Sequence, residues 1–417
     1  MSFLKNKLFS TFGIYTLSNV FNAGIPFLLL PILTKYLSPS DYGVLSNFNG
    51  LVTVLVPFVG FNLMAAVSRQ YIKDDIDRPR YISTGLTLLV VLTILFSFLI
   101  FFFRENVKEL TGIPEVYVAF TALYASFTNL LELILAIWRM ENKPIYYGVL
   151  RLGKTLLEIS IAITLIAGFQ MAFEGSIHAM FFAMGAAALV SLLILYNKQL
   201  LSRSFSKSYL KHIVNYGAPL IPHALSGVII LYSDKLIITH YLGLSATGVY
   251  SVGFLVGQLI GLLQNSFNQA WVPWVFTQLK ENNFLSKIKI VKITYLYFIG
   301  ILLLTVAMWF VAPYLYFFVG KGFHEGIYLV FWIALGFAFN GMYKMVAVYI
   351  FYSEKTKYLA VLSLLVAGLN ISLNFAWIPI YGEVGAALAT VISFFVHFLL
   401  TWALSSKLIS MPWSLKK

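Results

Sequence analysis

The chain has 417 residues, of which 60% are hydrophobic, 17% aromatic and only 11% charged, with a mean hydropathy of +0.84. A water-soluble domain has roughly a quarter of its residues charged, so this composition excludes an ordinary soluble globule, and the lack of cysteine excludes disulfides and thiolate metal or redox sites. The net charge of +13 does not indicate nucleic acid, because the basic residues lie in short segments between apolar runs and form no aromatic-studded patch.

Taken in chain order, apolar runs long enough to cross roughly 30 Å of hydrocarbon predict helical spans at 12–33, 44–63, 82–103, 115–137, 146–168 and 176–195, then at 215–239, 248–270, 294–318, 327–351, 358–380 and 384–404. The runs are continuous, whereas barrel strands alternate apolar and polar residues over about 10 positions. The first run lacks a small-residue cleavage signature and is expected to be retained as a span. Pro26 and Pro31 fall in it, and Pro219 and Pro222 fall in the seventh. Proline removes a backbone donor and clashes with the preceding turn, so both spans are expected to be broken, with these four residues as hinge candidates.

The basic residues check the span count. Twenty-one Lys and Arg lie on the side of the two termini, four (Lys35, Arg104, Lys108 and Lys321) lie on the opposite side, and Arg151, Lys154, Lys235 and Lys344 lie inside spans, making 29. The positive-inside rule then places both termini in the cytoplasm. Trp138, Trp271 and Trp274, near span ends, read as interface anchors. The single histidines His178, His223 and His397, beside bulky residues, read as packing groups before a proton relay.

Two stretches recur half a chain apart. "TKYLSPSDYGVLS" (34–46) and "THYLGLSATGVYS" (239–251) share seven of thirteen positions, and "KPIYYGVLRLGKTLLEIS" (143–160) and "KTKYLAVLSLLVAGLNIS" (355–372) share eight of eighteen. The offsets of 205 and 212 residues each cover six spans. An even number of crossings restores orientation, so the repeats are parallel and related by an axis along the membrane normal. The expected fold is an all-α integral membrane protein of 12 transmembrane helices in two six-helix lobes, 1–204 and 205–417, with a pseudo-two-fold along that normal. Substrate would lie between the lobes and be exposed alternately to either side.

Charges at bilayer depth are costly and by default functional. Arg151, Lys154 and Glu158 recur at three and four residues and share one helix face. Either they form a cationic substrate face with Glu158 as a coupling partner, or they form a self-neutralising ladder of Lys154 with Glu158 and Arg151 with Glu132. Their second-half counterparts are Ser363, Val366 and Asn370, so the repeat itself does not require charge there. The same offset sets Lys344 opposite Glu132; either it faces a cavity, or it snorkels to the inner interface, for which a reach of about 10 Å is marginal. Asp234 and Lys235 are adjacent, hence about 100° apart on a helix, and either pair with neighbouring helices or contribute to an outer gate. Arg151, Lys154, Lys344 and Lys235 are therefore the substrate-binding candidates, and Glu158, Glu132 and Asp234 the coupling or ion-pair candidates.

The stretches "LLLPILTKYLSPSDYGVLS" (28–46) and "SDKLIITHYLGLSATGVYSVG" (233–253) resemble bacterial polysaccharide (O-antigen type) flippases, whose superfamily also holds the MATE-like multidrug exporters and lipid II flippases. The second carries their pattern through Asp234, Lys235, Leu242, Gly243, Gly248 and Tyr250. The resemblance implies a MATE-like fold in the bacterial inner membrane. It implies export of undecaprenyl-diphosphate-linked repeat units to the periplasmic leaflet, for lipopolysaccharide or another surface polysaccharide. The partners it implies are that lipid-linked oligosaccharide, membrane lipids, a polysaccharide polymerase and a chain-length regulator. A proton or sodium gradient is the energy source it suggests, with no other cofactor. A MATE-like drug or cation exporter is the alternative, although four basic against three acidic buried groups favour an anionic substrate. Enzymatic activity is not expected: there is no Gly-x4-Gly-Lys-Ser/Thr loop and no nucleophile–base pair or metal cluster.

Overall fold

The computed structural model describes residues 24–414 except 72, 74 and 282, and the described residues are helical without strands. Contacts divide the chain into two compact units, Met1–Val228 and Ile229–Lys417. The first contains α1 (Gly24–Tyr36), α2 (Pro39–Gly60), α3 (Leu63–Tyr71), α4 (Arg78–Phe102), α5 (Arg104–Thr111), α6 (Glu115–Met140), α7 (Pro144–Ile163), α8 (Phe173–Asn197) and α9 (Lys207–Gly217). Helix α10 (Leu220–Gly257) leads into the second unit, with α11 (Leu259–Lys280), α12 (Phe284–Tyr316), α13 (Leu329–Tyr352), α14 (Thr356–Tyr381) and α15 (Glu383–Leu408).

Among the described residues, nine helical stretches are long and apolar enough to cross a membrane. One of them, Lys207–Lys280, takes in α9, α10 and α11 and contains the predicted seventh and eighth spans. It is interrupted at Ala218–Pro219, bent at Gly243 (φ +86°) and interrupted again at Gln258. The predicted fifth span coincides with α7, where Arg151, Lys154 and Glu158 interrupt the apolar run. Each predicted span falls on a helix, and the part of the first before Gly24 lies outside the described residues.

The recurring turn reverses the chain by different chemistry in each copy. In the first, Ser38 caps α2: its Oγ accepts from the Asp41 N–H at 3.2 Å while the Asp41 carboxylate accepts from the Ser38 N–H at 3.0 Å. This reciprocal arrangement satisfies two donors that a helix start leaves open, and Pro39 occupies the first turn, where no amide hydrogen is needed. The aligned residue in the second copy is Gly243, whose positive φ suits glycine. The Thr239 and Thr247 hydroxyls meet at 2.7 Å across that bend.

Helix pairings repeat between the units. In the first, α6 packs on α2, α4 and α8, and α8 on α7; in the second, α13 packs on α11, α12 and α15, and α15 on α14. Small residues allow the close approach on which helix association in lipid depends. Ala334 and Ala338 of α13 and Ala386, Ala387 and Ala389 of α15 are fully buried.

One expectation changes. Helix α1 runs uninterrupted through Pro26 and Pro31, so Pro31 does not break it, consistent with the tolerance of membrane helices for proline. Pro219 does lie in the break between α9 and α10, with Pro222 in the first turn of α10. The compact units meet at Val228, beyond Ser204. The reason is α9, which packs on α3 and α4: Asn62 Nδ2 donates to the Gly217 carbonyl at 3.3 Å, and His212 lies 2.6 Å from Gln70 Nε2 and 2.9 Å from the Tyr81 hydroxyl.

Candidate functional site

On α7, Lys154 pairs with Glu158 one turn away, their side chains 15% and 22% exposed. Arg151 takes the other local partner: its Nη1 donates to the Tyr147 hydroxyl, and its guanidinium sits 5.7 Å from the centre of the Tyr147 ring. The expected Arg151–Glu132 pair does not form, and Glu132 is half-buried on α6 with no ion pair among the described residues. The ladder is therefore half made. Glu158 neutralises Lys154, whereas Arg151 keeps its charge and lies roughly 10 Å along the helix from Pro144.

Lys344 projects from α13 and donates to Asn265 Oδ1 of α11 at 2.5 Å. That acceptor is neutral, and no carboxylate pairs with Lys344 among the described residues. It stands eight residues before the end of α13, about 12 Å along the axis. A cation at such depth without a counter-ion is expensive.

Asp234 and Lys235 diverge, as adjacent helical residues must. Asp234 is fully buried and accepts from the Tyr250 hydroxyl and, at 2.8 Å, from the Lys235 N–H. Lys235 is also buried, and its ammonium lies 4.9 Å from the ring centres of both Tyr232 and Phe254, where the ring quadrupoles stabilise a cation. Asp234 and Tyr250, sixteen residues apart, are thus bonded to each other across the Gly243 bend.

Beside Asp234 lies a polar group that sequence reasoning missed. Ser233 Oγ donates to Asn370 Oδ1 at 3.2 Å, and Asn374 Nδ2 donates to the same oxygen at 3.1 Å. Asn374 Oδ1 is buried with no hydrogen-bond partner among the described residues, and the Thr390 hydroxyl lies against the Tyr250 hydroxyl. Buried polar atoms are nearly always satisfied, so each exception needs an explanation. The available signal was two asparagines four apart in an apolar run, one of them already aligned with Glu158. A carboxylate with amide and hydroxyl oxygens is a hard donor set, suited to a proton or an alkali cation rather than a transition metal. No group of three or more His, Cys, Asp or Glu is placed to hold a metal among the described residues.

The remaining candidates are packing residues. His397 stacks on Tyr343 with ring centres 3.9 Å apart, and His178 lies against Tyr117 at 5.8 Å; the His223 side chain lies outside the described residues. Trp138 and Trp271 are buried within the protein, and Trp271 Nε1 donates to the Met345 carbonyl at 3.3 Å.

A model of the polysaccharide biosynthesis protein family matches residues 8–280. Over 373 residues the chain is 24% identical to an uncharacterized membrane protein of Haemophilus influenzae, covering 88% of each. Over 273 residues it is 26% identical to the probable low-salt glycan biosynthesis flippase Agl15 of Haloferax volcanii, covering 64% of this chain and 54% of that protein. Among solved structures it resembles the lipid II flippase MurJ in an inward closed conformation, with a TM-score of 0.75 and 17% identity over 94% of this chain and 87% of that one. It also resembles an inward-facing MATE-family multidrug resistance transporter of the MOP superfamily, with a TM-score of 0.71 and 14% identity over 94% of both chains. At these identities the two structures establish the fold alone.

Proposed function

Because the chain belongs to the polysaccharide biosynthesis protein family, we propose that it is a flippase. It turns undecaprenyl-diphosphate-linked oligosaccharide repeat units from the cytoplasmic to the periplasmic leaflet of a bacterial inner membrane by alternating access. The observation that carries this reading is Lys344, a cation inside an apolar helix held only by a neutral amide. An ammonium at bilayer depth needs an anionic or strongly polar ligand, and a diphosphate headgroup supplies one. Arg151, whose bonded partner is a neutral hydroxyl, is the cationic candidate of the first unit, and guanidinium geometry matches two phosphate oxygens at once. Lys154 joins it only when its pair with Glu158 opens.

Energy coupling is assigned to the Asp234 group. Asp234, Asn374 and Thr390 are the residues that would hold a proton or sodium ion, whose binding would supply the bias between the two access states. The flipped repeat unit would then pass to a polymerase and its chain-length regulator.

The test is deletion of the gene followed by analysis of undecaprenyl-linked intermediates. Complete repeat units should accumulate on the cytoplasmic face. Unchanged glycan export with no accumulated intermediate would overturn the reading.

A further inference from the structure

A groove of about 530 Å³ opens along the first unit between α7 and α8, floored by Trp138 of α6. Its volume lies in the range of small-molecule sites. Val149, Leu150 and Leu157 form one wall and Ala183, Ala187 and Val190 the other. Gly153 makes the space: a Cβ there would meet no atom within 4 Å. Val149 and Tyr146 on the rim are 68% and 60% exposed, so the groove is open along its side. Water is a poor occupant for such walls, since a bound water needs two to four polar partners. A hydrocarbon chain fits them.

The charges define the headgroup. Lys143 and Lys198 stand at one end of the groove, and Lys154 lies along it. Lys198 Nζ donates to both Glu141 carboxylate oxygens at 2.7 Å, Lys143 Nζ lies 3.2 Å from one of them, and the Tyr71 hydroxyl donates to Glu141 at 2.6 Å. Lys154 is matched by Glu158. Three lysines thus face two carboxylates, which leaves a single positive charge, at the end where Lys143 and Lys198 share Glu141. One phosphodiester balances that charge; a diphosphate carries more than it can neutralise. From Lys143 to Leu157 the wall runs about 21 Å, against about 15 Å for half of the hydrocarbon core. That is the length of one leaflet's chain with its headgroup.

We propose that this groove binds a phospholipid with one anionic phosphodiester, its phosphate between Lys143 and Lys198 and one acyl chain lying along α7 and α8 towards Leu157 and Ala183. The site uses neither Lys344 nor the Asp234 group; it shares Lys154 with the proposed transport contacts, and its test rests on Gly153 and Lys143 instead. Its occupant stays in one leaflet as a lipid ligand of the first unit.

The test uses the full-length protein in detergent, with phosphatidylglycerol as the probe and phosphatidylcholine as the control. Native mass spectrometry should retain one phosphatidylglycerol per chain, and this lipid, unlike phosphatidylcholine, should raise the melting temperature. Gly153→Leu fills open space in the groove, so it should leave the lipid-free melting temperature at or above the wild-type value while weakening phosphatidylglycerol by about tenfold or more. Lys143→Gln should weaken it by about fivefold, the effect expected of roughly one basic residue at an anionic surface. Equal binding of phosphatidylcholine, or unchanged phosphatidylglycerol affinity in Gly153→Leu, would overturn the proposal. So would displacement of phosphatidylglycerol by undecaprenyl phosphate that binds more tightly and is itself lost in Gly153→Leu, which would assign the groove to the carrier lipid's tail.

Discussion

Replacing Lys344 by Gln separates a transport role from a structural one. Gln keeps a donor for Asn265 Oδ1, the observed partner at 2.5 Å, and removes only the charge. An ammonium about 4 Å from a phosphate charge gains about 4 kcal/mol at an effective dielectric of 20. Lys344 is incompletely buried, so solvent screening reduces this to about 2 kcal/mol, or roughly thirtyfold in the rate of a step that depends on that contact. Stability should move the other way or not at all, because a charge without a counter-ion is removed. The assay is complementation of a deletion strain, scored by surface glycan and by undecaprenyl-linked intermediates, alongside the melting temperature of the purified variant. Lys344→Gln should fall about thirtyfold in export with no loss of melting temperature, and Lys344→Arg should retain part of the activity. Wild-type export by Lys344→Gln at equal expression would refute the reasoning.

The other charged groups give separate outcomes. Lys154→Gln and Glu158→Gln each strand a half-buried partner, so the double variant should recover about 1 kcal/mol of the summed loss in unfolding free energy; additivity within about 0.3 kcal/mol would mean the pair is not coupled. Asp234→Asn should fold normally, retaining the Tyr250 contact, but lose the dependence of transport on a proton or sodium gradient, and gradient-driven transport at the wild-type rate would remove Asp234 from coupling. Burial pushes the Glu141 carboxyl up, but its bonds to Lys198, Tyr71 and Lys143 outweigh that and hold it below the ordinary carboxylate range. A carboxylate with a lowered folded pKa stabilises the fold above its unfolded value and loses that contribution as pH falls through the folded value. The melting-temperature advantage of wild type over Glu141→Gln should accordingly be constant above about pH 5 and shrink in acid; growth of the advantage in acid would contradict it.

The helical membrane fold was legible because long apolar runs, basic loops and a half-chain repeat all point to it. Contacts one helical turn apart were legible too, and Lys154 with Glu158 is the example. Contacts that depend on helix rotation were not. Arg151 had a tyrosine at i−4 and took it in place of Glu132 on another helix. The bond between Asp234 and Tyr250 was hidden because it exists only after the chain reverses at Gly243. Asn370, Asn374 and Thr390 were missed because uncharged polar residues hardly disturb an apolar run, yet they lie buried, Asn370 bonded to Ser233 and Asn374, and Thr390 against Tyr250. Pro31 misled because proline reads as a helix breaker in water, whereas α1 continues through it.

Transbilayer movement measured directly bears most closely on the central claim. Purified protein reconstituted into liposomes carrying an undecaprenyl-diphosphate-linked oligosaccharide should move the glycan to the opposite leaflet, where a membrane-impermeant glycosidase releases it. The rate should exceed that of protein-free liposomes and fall roughly thirtyfold in Lys344→Gln. Glycan that reaches the opposite leaflet no faster with the wild-type protein than without it, under a proton or a sodium gradient of either polarity, would contradict the account.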